Sequence, residues 1–327
     1  MTTRRQMLIA LGAGGFVAPL SSSAQQTVKM ARIGFLGVTT AAEWASRVEA
    51  LRAGLRDLGY FEGKNISIEY RWAEGNYDRL PRLAAELVRL KVDVLVAHGT
   101  PGTLAAKHAT ATIPIVMAHV GDAVDTGIVG SLARPDGNIT GSTFFNPELM
   151  AKLLELLKEA IPRTTQVAVL LNPDNPVNGS LLAAMESTAK ALKVGLQQFE
   201  VRGPQEFDGV FAAMASRRIN AVVANSEPIF IANARRMADL AIGKRLALAG
   251  SREFAESGGM IGYWVNFPEL YRRAAYFVDR ILKGSKPGDL PIERATKFEL
   301  VVNMKTAKAL GIAIPQLILL RADKVIE

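Results

Sequence analysis

The sequence predicts an α/β protein of two doubly wound parallel-sheet lobes joined by a multi-strand hinge. Three observations predict it. Short β-branched runs alternate with longer amphipathic helical patterns along almost the whole chain, as in parallel sheets covered by helices on both faces. The alternation comes as two series of similar order and size, divided near Asn146-Pro147. Beyond them lie pieces too small for a third domain, which return to complete the two lobes, so the chain crosses between lobes more than once.

In the first series, Ala31 to Gly37 reads as a strand, Ala42 to Leu58 as an amphipathic helix stopped at Gly59, and Ile66 to Arg71 as the next strand. A helix over about Tyr77 to Leu90, strand Val92 to Ala97, helix Pro101 to Ala109 and strand Ile113 to His119 follow. A short helix is expected at Gly127 to Leu132 and a last strand at Asn138 to Gly141. The second series runs as helix Glu148 to Ala160, strand Gln166 to Leu171, helix Val177 to Leu192 and strand Gly195 to Val201. Helix Gln205 to Ser216, strand Ala221 to Ala224, helix Ile229 to Ile242 and strand Leu246 to Gly250 complete it. The expected first lobe is 27–144 plus about 265–285; the second is 145–264 plus about 286–327.

The first 26 residues are read as an export signal rather than part of a domain. Arg4-Arg5 give the positive end, Met7 to Leu20 a short apolar run, and Ser22-Ser23-Ala24 a small-residue site, so cleavage is expected after Ala24. The arginine pair before a weakly apolar segment fits a twin-arginine signal, and also an ordinary secretory signal that happens to carry two arginines. The run is short of the ~20 residues a membrane span needs.

Composition narrows the function classes. The chain has no cysteine, which removes disulfides, zinc-thiolate and iron-sulfur sites, cysteine nucleophiles and a lipid-bearing cysteine. The mature protein is therefore expected free in the periplasm. Its charge of +8, about +6 without the signal arginines, is spread over the whole length with no basic run and no aromatic platform, so nucleic acid is not an expected partner. No Walker-type or dinucleotide glycine pattern and no G-x-S-x-G elbow occurs. His98, His108 and His119 lack metal-binding spacing, and no metal or cofactor is expected.

In open parallel sheets, ligands bind beyond the carboxyl ends of the strands. Those ends here carry Val38-Thr39-Thr40, His98-Gly99-Thr100-Pro101, Val120-Gly121-Asp122, Ser142-Thr143, Asn172-Pro173, Asn225-Ser226-Glu227 and Ser251-Arg252-Glu253. Small hydroxyl, amide and carboxylate groups of this kind orient a small solute. They are equally the preferred helix N-caps, and sequence alone leaves both roles open.

From Ile33-Gly34-Phe35-Leu36-Gly37 through Gly121-Asp122 to Arg252-Glu253-Phe254, the ordered segments of the chain resemble the ABC-transporter substrate-binding protein family that includes the tryptophan- and aromatic-amino-acid-binding type. The resemblance is carried by Ile33-Gly34-Phe35-Leu36-Gly37, Leu58-Gly59-Tyr60, Glu62-Gly63-Lys64-Asn65, Glu69-Tyr70-Arg71-Trp72-Ala73-Glu74-Gly75, Gly121-Asp122 and Arg134-Pro135-Asp136-Gly137-Asn138-Ile139-Thr140-Gly141. Arg252-Glu253-Phe254 and the tail Ala295-Thr296-Lys297-Phe298-Glu299-Leu300-Val301-Val302-Asn303 extend it over nearly the whole mature chain. It implies the type I periplasmic-binding fold, with an amino acid, aromatic or branched, held between the lobes. It further implies delivery to a membrane permease driven by an ATPase, by a monomer that catalyses nothing. By position it implies ligand contacts from Thr39, Gly99, Thr100, Pro101, Asp122, Thr143, Asn172, Asn225 and Glu253, with Tyr263 near a crossing. The chain departs from the family at Ala123, where proline is usual, and at Ser142-Thr143, where Val-Ser is commoner. Two other readings use the same cleft. One is an exported enzyme with His98, Asp122 and Glu253 as acid and base; the other is a receptor that presents its solute to a membrane sensor.

Overall fold

The structure, a computed structural model, describes residues 30–327; the expected export signal lies outside them. The first half folds as β1 (Ala31–Gly37), α1 (Ala45–Asp57), β2 (Ile66–Trp72), α2 (Leu80–Arg89), β3 (Val94–His98), α3 (Gly99–Ala109), β4 (Ile115–His119) and β5 (Ile139–Thr143). The chain then passes into α4 (Asn146–Ala160), β6 (Gln166–Leu171), α5 (Asn178–Leu192), β7 (Gly195–Glu200), α6 (Phe207–Ser216) and β8 (Ala221–Ala224). Next come α7 (Pro228–Ala232), α8 (Ala234–Gly243), β9 (Ala247–Gly250), α9 (Arg252–Glu256) and β10 (Ile261–Val265). The return segments are α10 (Phe267–Leu282), β11 (Glu293–Arg294), β12 (Phe298–Asn303), α11 (Met304–Leu310), α12 (Gln316–Arg321) and β13 (Lys324–Ile326).

Two sheets result. The first has the order β11-β5-β4-β3-β1-β2 and is parallel throughout. The second, β13-β12-β10-β9-β8-β6-β7, is parallel except where β12 runs antiparallel to β10. Central strands such as β3, β4 and β8 are wholly buried, which explains their continuous apolar runs: helices cover both faces, so no alternation is needed. The chain passes between sheets three times, after β5, after β10 and after β11. The first two crossings each enter a helix with proline in its opening turn, Pro147 in α4 and Pro268 in α10, where the missing N–H costs nothing. Asn266 caps α10, its Oδ1 accepting from the Glu269 N–H at 3.1 Å.

Three expectations fail. The single helix expected at Ile229 to Ile242 is two, α7 and α8, parted at Asn233, which leaves helical geometry at φ -109 and ψ 18. Gly127 to Leu132 forms turns, not a helix; Gly127 stands at φ +68, which interrupts helical geometry. The segment at 286–294, assigned by sequence to the second lobe, belongs to the first. Glu293 and Arg294 pair with Ser142 and Thr143 of β5, and the buried Thr140 hydroxyl donates to the Leu290 carbonyl at 2.8 Å. The first lobe thus keeps the chain to Arg294. A two-residue strand after Pro287-Gly288 carries no periodicity to read, and its partner strand alone defines it. Thr140→Val is expected to cost about 1 to 2 kcal/mol, because it strands the Leu290 carbonyl in the interior; urea denaturation measures it. At the neighbouring Gly141, φ is +131 and an added Cβ would sit 2.2 Å from the Met117 carbonyl oxygen, so β5 lies against β4 only because this residue is glycine.

Candidate functional site

The carboxyl ends of the two sheets face each other across a narrow seam. A Cβ on Gly99 of the first lobe would lie 3.4 Å from Pro228 of the second, and one on Gly75 would lie 3.8 Å from Ile229. On the same seam Arg47 of α1 pairs with Glu253 of α9. The lobes are therefore shut against each other. Between them lies a cavity of about 390 Å³, lined from the first lobe by Thr39, Glu74, Asn76 and Tyr77 and from the second by Asn172, Asp174, Arg202 and Asn233. Volumes of this order suit a small metabolite.

Of the ten residues expected to bind, Thr39 and Asn172 line this cavity. Thr39 follows β1, is buried, and its Oγ1 has no partner. Asn172 follows β6; its Oδ1 accepts from the Asp174 N–H at 3.1 Å and so also shapes its own loop. Gly99, Thr100 and Pro101 open α3, whose first turn has no side-chain cap. Gly99 takes φ +67, which brings that turn against Pro228. Asn225, at the end of β8, accepts on Oδ1 from Asn146 Nδ2 at 2.9 Å, while its buried Nδ2 has no partner.

The remaining four are occupied elsewhere. Asp122 caps the next turn, Oδ1 accepting from the N–H groups of Val124 and Asp125 at 3.1 and 3.0 Å. Thr143 Oγ1 donates to the Val120 carbonyl at 3.1 Å and accepts from the Ala123 N–H at 3.2 Å. That bond joins the two departures from the family pattern, since a proline at 123 would have no N–H to give. Glu253 uses one oxygen on Arg47 and the other on the Ser251 hydroxyl, so it closes the seam instead of facing a solute. Tyr263, in the middle of β10, packs on Phe298 of the antiparallel neighbour β12 with ring centroids 5.9 Å apart, away from the strand ends.

Sequence reasoning passed over two groups that the fold brings to the seam. Tyr77 lines the cavity, and its hydroxyl is buried without a partner. Glu227, directly before α7, is 0% exposed; Asn175 Nδ2 donates to its Oε2 at 2.7 Å, and its Oε1 has no partner. Burial pushes its carboxyl up to about 8. The segment Asn225-Ser226-Glu227 was visible as a strand end, but three adjacent polar residues give no sign of which one the fold will bury.

His98 and His119 end adjacent strands, yet they are packed into aromatics. His98 stacks on Trp44 with centroids 4.8 Å apart, and His119 lies 4.7 Å from Phe267. The Val38 N–H donates to His98 Nε2 at 3.2 Å, which puts the imidazole proton on Nδ1. Burial is the main cause that holds both imidazoles far below the ordinary histidine range, His119 at about 3, with Arg47 adding to it. Among the described residues no group of His, Asp or Glu is arranged to hold a metal ion.

The family model for ABC transporter substrate binding proteins matches residues 40–326. The chain belongs to this family. Its two lobes are those of a type I periplasmic binding protein. Among solved structures, this substrate-binding protein is similar to a conserved domain protein of Vibrio cholerae, 28% identical, over 91% of this chain and 100% of the other, with a TM-score of 0.85. A Streptococcus pneumoniae ABC domain in complex with L-Trp matches over 90% of this chain and 99% of its own, at 23% identity and a TM-score of 0.84. A tyrosine-binding protein of Clostridioides difficile is 25% identical over 257 residues, 78% of this chain and 74% of the relative. Among the described residues no helix is long and apolar enough to cross a membrane.

Proposed function

We propose that this substrate-binding protein is the periplasmic receptor of an ABC importer, holding an aromatic amino acid between its lobes and passing it unaltered to a permease and its ATPase. One observation carries the reading. Buried polar atoms without protein partners converge from both lobes on the strand ends that bound the seam: Thr39 Oγ1 and Ser142 Oγ from the first, Asn225 Nδ2, Ser226 Oγ and Glu227 Oε1 from the second. Each would be costly to bury unless something hydrogen-bonds it when the clamp shuts. A solute does so, and by bridging the lobes it makes closure depend on its presence.

The solute class follows from the L-Trp complex and the tyrosine-binding relative, together with the Tyr77 ring at the cavity. In this reading Thr39, Asn172 and Asn225 hydrogen-bond the solute, and the uncapped N–H groups at Gly99 and Thr100 take its carboxylate. The lobes divide at the three crossings, which act as the hinge, and the protein works as an exported monomer. Asp122 and Glu253 are engaged within the protein and His98 is packed on Trp44, which favours binding without turnover.

The mature protein is expected to gain thermal stability with L-tryptophan or L-tyrosine, by about 2.7 kcal/mol at a hundredfold excess over Kd, and to become more compact in small-angle scattering. A panel of amino acids, sugars, purines and organic acids that produces no shift would overturn the receptor reading.

A further inference from the structure

We infer that the inter-lobe cavity selects solutes whose side chain carries a positive charge, with Glu43 and Asp78 of the first lobe as the selecting carboxylates. The class is an aromatic amino acid bearing an amine or guanidine on its ring. The inference rests on the receptor reading and narrows its solute.

The cavity has the opposite sign to the protein around it. Lysine and arginine outnumber aspartate and glutamate over the chain, 39 to 31. In the cavity wall the carboxylates of Glu43, Glu74, Asp78 and Asp174 stand against one cation, Arg202. Two of these carboxylates are neutralised: Glu74 pairs with Arg79, and Asp174 lies 3.5 Å from Arg202. The other two meet no cation among the described residues. Glu43 Oε2 accepts from the Thr40 N–H and hydroxyl at 3.0 and 2.8 Å. Asp78 engages only its backbone N–H, donated to Asn76 Oδ1 at 3.0 Å, and leaves its carboxylate without a partner. Both belong to the first lobe, so that wall is acidic while the facing wall of Asp174 and Arg202 is balanced.

Negative charge alone would mark only a solvated rim. Thr39 supplies the independent sign of a ligand: it lines the same cavity, is 1% exposed, and its Oγ1 has no partner. A hydroxyl buried this far needs a hydrogen-bonding partner, and a solute is the partner the cavity can admit. The wall offers little to an apolar body. Its largest apolar side chains are Tyr77 and Ile229, and most of the rest are hydroxyls, amides and carboxylates. A charged portion of a solute therefore suits the cavity better than a bare ring. A cation placed there meets two carboxylates that lack a counter-charge, whereas an anion is repelled by the same pair. Asp78 also stands just ahead of α2, where a carboxylate favours the helix amino terminus. That role bears on stability, not on the order in which solutes bind.

The test is calorimetric titration of the mature protein with 4-aminomethyl-, 4-ethyl- and 4-carboxy-L-phenylalanine, which share one α-amino acid and differ in the charge on the ring substituent. The wild type is expected to bind the 4-aminomethyl solute about 10-fold more tightly than the 4-ethyl solute, and the 4-carboxy solute about 10-fold more weakly. In the double variant Glu43→Gln, Asp78→Asn the three are expected to fall within about twofold of one another. The Glu43→Gln side chain keeps an oxygen for Thr40, so the turn it closes should hold. Should the double variant melt lower than the wild type, Asp78→Asn alone is expected to lose about threefold of the preference. In the wild type the preference is also expected to shrink in about 1 M salt, where charges are screened beyond ~3 Å. Wild-type affinities that follow no charge order overturn the inference alone, as does a charge order that persists in the double variant. An equal loss for all three solutes overturns it too, since the carboxylates would then hold the α-ammonium. So does a wild type that binds L-tryptophan or L-tyrosine but not the 4-aminomethyl solute. A wild type that binds none of these and nothing in the wider panel overturns the receptor reading, and this inference with it.

Discussion

Glu253→Gln is expected to open the clamp and to weaken solute binding about 100-fold. The Arg47 side chain is only 6% exposed, with its guanidinium 4.3 Å over the Trp44 ring and 5.4 Å from that of Phe267. Glu253 is its anion, and the two residues stand on opposite lobes. A neutral glutamine leaves the guanidinium buried without a counter-charge while the lobes stay shut; rotation of the lobes returns it to water. Closure then becomes the unfavourable state, and each binding event must work against it. Titration calorimetry reads the loss of affinity, and small-angle scattering reads the larger radius of the ligand-free protein. Unchanged values in both would show that Arg47 does not couple the lobes. Adding Arg47→Met to Glu253→Gln removes the buried charge as well, and is expected to recover most of the affinity.

Acid is expected to destabilise the protein well before its surface carboxylates titrate. His119 and His98 are neutral in the folded interior, whereas in the unfolded chain each takes up a proton below about pH 6.5. Their contribution is complete above that pH and is lost as pH falls towards the folded value, about 3 for His119. By pH 4 the loss from His119 alone reaches about 3 kcal/mol. Glu227 acts in the opposite sense. Its raised carboxyl stabilises the ligand-free protein below about pH 4.5, and that contribution is lost as pH rises towards 8. Urea melts from pH 7 to 4 in the Glu227→Gln background isolate the histidine effect. A flat profile would mean that the imidazoles are solvated or partnered, contrary to their place among Trp44, Phe267 and Tyr271.

The fold class was legible because its determinants are local. Buried parallel strands need continuous apolar runs, covering helices need a 3.6-residue period, and both patterns are written in consecutive residues such as Val94–His98 and Leu80–Arg89. The strand ends that bound the seam were legible for the same reason: where a strand stops, the next loop begins. The roles of the residues in those loops were not. Thr39 and Thr143 are the same residue type at equivalent strand ends, yet Thr143 spends its hydroxyl on Val120 and Ala123 while Thr39 keeps its own free. Asp122 and Glu253 have the right chemistry for a solute, but a neighbouring turn claims the first and a helix of the other lobe claims the second.

The sequence by itself determined two α/β series, their strand ends and a family. The tertiary structure alone decided which polar groups remain unpaired, that the chain to Arg294 stays with the first lobe, and that Glu227 is buried beside the opening of α3. The physical reason is range. Periodicity is set by neighbours a few residues apart, whereas desolvation and hydrogen-bond satisfaction depend on atoms more than fifty residues away, as Asn175 is from Glu227 and Arg47 from Glu253.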